Sequence, residues 1–156
     1  MSWVYIAGFF DGEGSLVFSE DRWRISIPQT NEDVLVGIRS FSGVGNLLKE
    51  RKRQSHWKDN WVYYVASQKD AYLFLEKINP FLIVKKGLVV DALPKLGYVI
   101  KQQNQRLSKR KKRFDEAFLL RSRGLSYHAI ELKMGLDRGY IRRLLISYPK
   151  KMEAMV

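Results

Sequence analysis

The sequence predicts an α+β fold, in the order α-β-β-α-β-β-α-α, followed by a small helical extension. Three observations carry that prediction. Trp23, Ile25 and Ile27 alternate with Arg24 and Ser26, the period of a half-buried strand. Helix start and stop signals bracket short apolar-periodic segments, with Asn31 before Glu32-Asp33 and Gly43 behind. After Tyr98 the composition changes abruptly, core residues giving way to Lys, Arg and Gln.

In chain order, Trp3 to Asp11 is apolar and aromatic, with Gly8 and Gly12 one helical turn apart on the same face. Two such glycines cost a helix about 1 kcal/mol each relative to alanine, so close approach of another backbone is their natural reason. Asp11-Gly12-Glu13-Gly14 ends this helix. Ser15 to Ser19 and Arg22 to Gln29 read as strands about a Glu20-Asp21 turn. A helix over about 32–42 presents Leu35, Ile38 and Phe41 at helical spacing. Gly45 to Arg53 reads as a third strand, running into the polar loop Gln54 to Asn60, and Trp61 to Ala66 as a fourth. A helix from Lys69 to Ile78 stops at Asn79-Pro80, since proline disfavours helix in the residue before it. Lys85 to Val99 is expected as a further helix, interrupted or kinked at Pro94.

The domain is thereby placed at residues 1–100. Residues 101–113 read as a basic linker or a solvated helix extension, and 114–148 as a helix-turn-helix-like segment. There Phe114, Ala117 and Phe118 fit one helix and Ser126 caps a second, with Tyr127, Ile130 and Met134 inward. Gly135-Leu136-Asp137 turns into a third, which buries Ile141, Leu144 and Leu145 and turns Arg138, Tyr140, Arg142 and Arg143 at least partly outward.

Composition limits the function classes. The chain of 156 residues is 46% hydrophobic and 13% aromatic, enough for a real core. Its formal charge of +12 is concentrated: residues 1–100 carry +2 and residues 101–156 carry +10, the asymmetry of a polyanion-binding segment. With no cysteine, disulfides, thiolate zinc sites and thiol nucleophiles are excluded. His56 and His128 lie far apart in sequence, so any metal would be a hard ion held by oxygens. No apolar run reaches membrane-spanning length and no secretory signal is recognisable, which predicts an intracellular protein, cytoplasmic or organellar.

One motif carries chemistry. Ile6-Ala7-Gly8-Phe9-Phe10-Asp11-Gly12-Glu13-Gly14 resembles the nine-residue motif of the LAGLIDADG homing endonucleases, seven positions matching closely. The resemblance extends through the α-β-β-α-β-β-α order over about residues 3–98, and Asn79 to Lys85 looks like the family's segment before its final long helix. It implies that two copies of the first helix pack together, with Ala7, Gly8, Asp11 and Gly12 at the interface. That packing accounts for glycines a solitary helix would not favour.

Glu13 follows at the negative end of the helix macrodipole, where a carboxylate is disfavoured by about 0.3–1 kcal/mol unless a cation is bound. The resemblance makes Glu13, with Gly12 beside it, the binding point for Mg²⁺, with Mn²⁺ or Ca²⁺ as substitutes for binding. A metal bridging carboxylate and phosphate activates water and stabilises the leaving oxygen. Asp11 reads instead as a partner for the turn and helix ends. Gln29 resembles the family's water-positioning glutamine and Lys85 its basic residue at the cleavage-site solvent, with Lys86 the register alternative. The arginine that some members carry one turn beyond Gln29 is absent, Asp33 standing there.

The strand faces are the expected DNA-reading surface. Arg22, Arg24, Ser26, Lys49, Arg51, Arg53, Gln54, His56, Lys58 and Tyr63 interleave groups able to read base edges and grip phosphates, and the third C-terminal helix adds Arg138, Tyr140, Arg142 and Arg143. The leading expectation is a site-specific, metal-dependent endonuclease cutting double-stranded DNA as a homodimer on a long, pseudo-palindromic site. A non-cleaving DNA-binding regulator and an intron RNA maturase are the alternatives on the same scaffold.

Overall fold

The computed structural model describes residues 1–20, 22–52, 54 and 56–153, with side chains to Ser147. Helix α1 (Trp3–Glu13) opens the chain. Strands β1 (Ser15–Ser19) and β2 (Arg22–Gln29), helix α2 (Glu32–Ser42), strands β3 (Asn46–Lys49) and β4 (Trp61–Val65) and helix α3 (Gln68–Ile78) follow. A 3₁₀ turn, Asn79–Phe81, then leads to helix α4 (Lys86–Ser122), and α5 (Tyr127–Met134) and α6 (Arg138–Glu153) complete the chain. The fold is α+β, as the periodicities predict.

Each short helix starts on a side-chain cap. Ser2 Oγ accepts from Tyr5 N, Asn31 Oδ1 from Asp33 N and Ser67 Oγ from Asp70 N. Gly43 ends α2 in the left-handed conformation. The four strands form one antiparallel sheet in the order β1-β2-β4-β3. Registers pair Leu16 with Ile25, Ile27 with Tyr63 and Tyr63 with Leu47, so one face of the sheet is the core face. Against it pack Ile6 and Phe10 of α1, Leu35 and Ile38 of α2, and Phe74, Leu75 and Ile78 of α3. The opposite face, bearing Val17, Arg22, Arg24 and Leu48, is open.

β4 ends at Val65, opposite Ile25, so Trp23 of β2, paired with Phe18 of β1 on one side, has no strand on the other. The buried Gln68 takes that place: its Oε1 accepts from Trp23 N at 2.9 Å and its Nε2 donates to Trp23 O at 2.8 Å. An amide carries the same donor and acceptor as a peptide unit, so it continues the ladder by one residue.

Helix α4 differs from expectation. It runs without a break through Pro94 and through the basic residues 101–113. One proline costs a helix about 3 kcal/mol. Here the loss is offset from both ends: Val89, Ala92 and Leu96 are buried in one core, Ala117 and Leu120 in another, and the Gln, Lys and Arg between them are good helix formers.

The chain divides into two compact units, Met1–Lys101 and Gln102–Val156. In the second, the end of α4 packs with α5 and α6 around Ala117, Leu120, Ile130 and Ile141. Ser126 caps α5, Gly135 ends it at φ 62°, and Asp137 Oδ1 accepts from Tyr140 N to start α6. This is a three-helix unit. Among the described residues no helix is long and apolar enough to cross a membrane.

Candidate active site and nucleic-acid interface

The motif residues divide by face of α1. Ile6, Ala7 and Phe10 have no exposed surface. Ala7, expected at a dimer interface, therefore belongs to the core of its own protomer: it lies one position from Ile6 and three from Phe10, on the buried stripe. Val4, Tyr5, Gly8 and Gly12 are exposed, and a Cβ on either glycine would meet nothing within 4 Å. Among the described residues nothing requires a glycine at those two positions.

The two acids of the motif have different surroundings. Asp11 accepts from the backbone N–H groups of Ile83 (2.7 Å), Val84 (3.2 Å) and Lys85 (2.9 Å), pinning the chain that enters α4. Partial burial pushes its carboxyl up, but the three N–H groups and the Lys85 charge outweigh this and hold it below its ordinary 3.8. With both oxygens so used, Asp11 is a structural clamp. Glu13, the last residue of α1, is exposed.

Lys85 is half-buried. Its Nζ donates to Phe10 O at 3.0 Å and to Asp11 O, carbonyls of the last turn of α1, of which Phe10 O also accepts from Gly14 N, and lies 5.7 Å from the centre of the Phe10 ring. It thus puts a cation at the negative end of the macrodipole, next to the turn that carries Glu13. Lys86 is exposed at the start of α4. Gln29 ends β2, and because Ser15 pairs with Ser26, that end of β2 lies beside the point where α1 delivers the chain into β1. Its Oε1 accepts from Thr30 N at 2.7 Å.

On the sheet, register decides which side chains face outward. Arg22 and Arg24 are exposed on the open face, and Ser26 follows them, half-buried between Ser15 and Tyr64, its hydroxyl 2.9 Å from that of Ser15. Tyr63, expected on this face, is on the other. It is fully buried, its hydroxyl donating to Val44 O at 3.0 Å, and burial raises its pKa to about 12. The tyrosine that faces outward is its neighbour Tyr64, opposite Ser26 and Asn46. Strand alternation foresees a tyrosine on each face without deciding which; the core beneath α2 decides it. Lys49, paired with Trp61, falls on that strand position's side: its Nζ sits 5.0 Å over the Trp61 ring and 3.1 Å from Asp59, away from Arg24. Lys52 also pairs with Asp59 at 3.0 Å, and the two lysines hold that carboxyl below its ordinary value. Arg51, Gln54, His56 and Lys58 are exposed in the β3–β4 loop; Arg53 lies outside the described residues. Sequence reasoning missed Val17, Leu48, Val62 and Tyr64 on the open face.

In the second unit Arg138, Arg142 and Arg143 are exposed on α6 and Tyr140 is half-buried. Arg138, Gly139 and Arg142 line a shallow groove with Tyr127 and Ile146.

A hard cation needs several oxygen donors. Among the described residues no three acidic or imidazole side chains gather into such a set, and Asp11 is already committed. The exposed Glu13 carboxylate and the carbonyl oxygens beside it are donors that could hold part of such a shell.

Residues 4–79 match the family described as LAGLIDADG-like domain. No curated protein sequence matches the chain. Among solved structures, the chain is similar to an archaeal intron-encoded homing endonuclease, I-Vdi141I, complexed with DNA. The TM-score is 0.51 at 22% identity, covering 94% of this chain and 96% of that one. It is also similar to the homing endonuclease I-CvuI, held in complex with the I-CreI target in 2 mM Mg with the DNA not cleaved. Here the TM-score is 0.50 at 19% identity, covering 93% and 92%. At these identities the likeness is one of fold. With its motif on α1, its matched residues 4–79 and this shared architecture, the chain carries a LAGLIDADG-like domain in the fold of these homing endonucleases.

Proposed function

We propose that the protein is a site-specific DNA endonuclease that acts as a homodimer and hydrolyses one phosphodiester in each strand with Mg²⁺. The observation that carries this reading is the exposed Glu13 carboxylate at the end of a helix that exposes Gly8 and Gly12 with no neighbour over them. Packing Gly8 and Gly12 against the same residues of a second copy brings two Glu13 side chains together on the two-fold axis. The solved DNA complexes of I-Vdi141I and I-CvuI support DNA as the substrate.

Glu13 and neighbouring carbonyls would hold the metal, which supplies an activated water and charge stabilisation for the leaving oxygen. Lys85 neutralises the carbonyl end of α1, so that approach of an anionic phosphate is favoured. Gln29, at the same end of the sheet, would orient water by its amide. Arg22 and Arg24 would seat the duplex on the open face, and Arg138, Arg142 and Arg143 would extend contact along it. Cleavage leaves 5′-phosphate and 3′-hydroxyl ends.

The three-helix second unit, with arginines exposed on α6, favours a second reading, a DNA-binding regulator of helix-turn-helix type that does not cut. One experiment separates the two. The protein is incubated with a randomised duplex library and Mg²⁺, bound and cut molecules are sequenced, and the assay is repeated with Glu13→Gln. The endonuclease reading expects discrete cut sites, and a loss of cleavage of at least about 100-fold in the variant with binding retained. Enrichment of bound sequences with no cut ends would establish the regulator instead.

A further inference from the structure

The centre of the open sheet face is apolar where a nucleic-acid surface would ordinarily be polar. Reading across the registers, Val62 of β4 stands between Pro28 of β2 and Leu48 of β3, and Tyr64 stands between Ser26 and Asn46. Val17 of β1 lies opposite Arg24. Val17 and Leu48 are 51% and 56% exposed. Single exposed aliphatics are ordinary, but these belong to one face and frame one groove of about 350 Å³, whose rim carries Arg24 and Glu50.

The chemistry narrows the occupant. A major groove presents donors and acceptors from every base, but only one apolar projection, the C5-methyl of thymine. Arg22 and Arg24 on the same face supply the positive charge that a duplex requires. We infer that the Val17 and Leu48–Val62 positions read thymine methyl groups, so that each half-site carries thymine under these side chains. The inference rests on the endonuclease reading only for its claim that this face lies on DNA. It adds the base selected and the interaction that selects it. Arginine and serine on either side read edges by hydrogen bonds. The aliphatic centre rejects cytosine, which lacks the C5-methyl and brings an N4 amino donor without an acceptor in place of the thymine O4.

Deoxyuridine tests this without altering the protein, since it differs from thymidine by that methyl alone. A duplex recovered from the randomised library is remade with deoxyuridine at one thymine at a time. The full-length protein is titrated onto each duplex with Ca²⁺ in place of Mg²⁺, so that the DNA stays intact. The expected result is at least two positions per half-site where the substitution weakens binding by about fourfold, the worth of one buried methyl-sized group. In Leu48→Gln, checked for fold by circular dichroism, the penalty disappears at one position and stays at the other. Equal affinity for every deoxyuridine duplex overturns the inference while leaving the endonuclease reading intact. So does a full penalty retained by Leu48→Gln. Failure to bind any duplex overturns both.

Discussion

Met1–Lys101 and Gln102–Val156 reach stability by different means. The first unit carries a net charge of +3 and one large core of α1, α2, α3 and the sheet, in which Tyr63, Phe10 and Phe74 are fully buried. The second carries +9 around Ala117, Leu120, Ile130 and Ile141, with Leu144 also buried. A small core leaves little hydrophobic stabilisation to set against like-charge repulsion, so caps and turns weigh more in the second unit. Bound polyanion would relieve that repulsion. On the proposed function, the first unit is the scaffold that holds the Glu13 carboxylate in place, and the second is a charged reader whose stability and affinity should respond to salt.

The strongest challenge to this contrast is Gly8→Leu. Because a side chain there meets nothing within its own protomer, the variant should fold normally, yet lose the dimer and with it all cleavage. Light scattering coupled to size exclusion gives the answer. A variant that remains dimeric would move assembly out of α1 and into the second unit.

Truncation after Gln105 comes next. It removes nine net positive charges and leaves the entire first core in place. The shortened protein should fold and dimerise, but its log affinity for DNA should fall less steeply with log salt, by roughly 0.9 for each phosphate it no longer neutralises. Equal salt slopes for the two proteins would mean that the second unit is not a reader.

Within the first unit, Gln68→Ala sharpens the comparison, because it leaves Trp23 N and O buried without partners. The expected loss is roughly 2–5 kcal/mol, measured by chemical denaturation. Asp11→Asn should cost less, about 1–2 kcal/mol, since an amide oxygen still accepts one or two of the three N–H bonds. The pH dependence is more telling. A carboxyl held below 3.8 stabilises the fold above that pH and ceases to do so as pH falls through its lowered value. The acid limb of the wild-type stability curve should therefore be steeper than that of Asp11→Asn. Superposed acid limbs would show that the Asp11 clamp contributes no stability.

The smallest effect belongs to the second unit: Ser126→Ala should cost about 1 kcal/mol by removing the cap of α5. It should also lower the first of two unfolding transitions, leaving the second, from the larger core, unmoved. A single transition that shifts as a whole would show that α4 couples the units into one cooperative block.

Local chemistry decided much of this in advance. The caps Asn31, Ser67 and Ser126, the left-handed Gly43 and Gly135, and the alternation of Trp23, Ile25 and Ile27 each depend on residues a few positions apart, so the sequence alone determined the element order and the core faces of β2, α2 and α6. The motif at α1 was legible for the same reason. What only the tertiary structure decided involves partners distant in sequence. Tyr63 and Tyr64 are equivalent to a strand pattern, and the core packed beneath α2 chose which one turns inward. Asp11 and Glu13 are two acids in one turn, and the backbone of residues 83–85 took the first and left the second exposed. Residues 101–113 have no apolar stripe to reveal a helix, yet cores engaged at both ends of α4 hold them in one. In each case the free energy that settles the conformation comes from residues far along the chain, beyond the reach of local propensity.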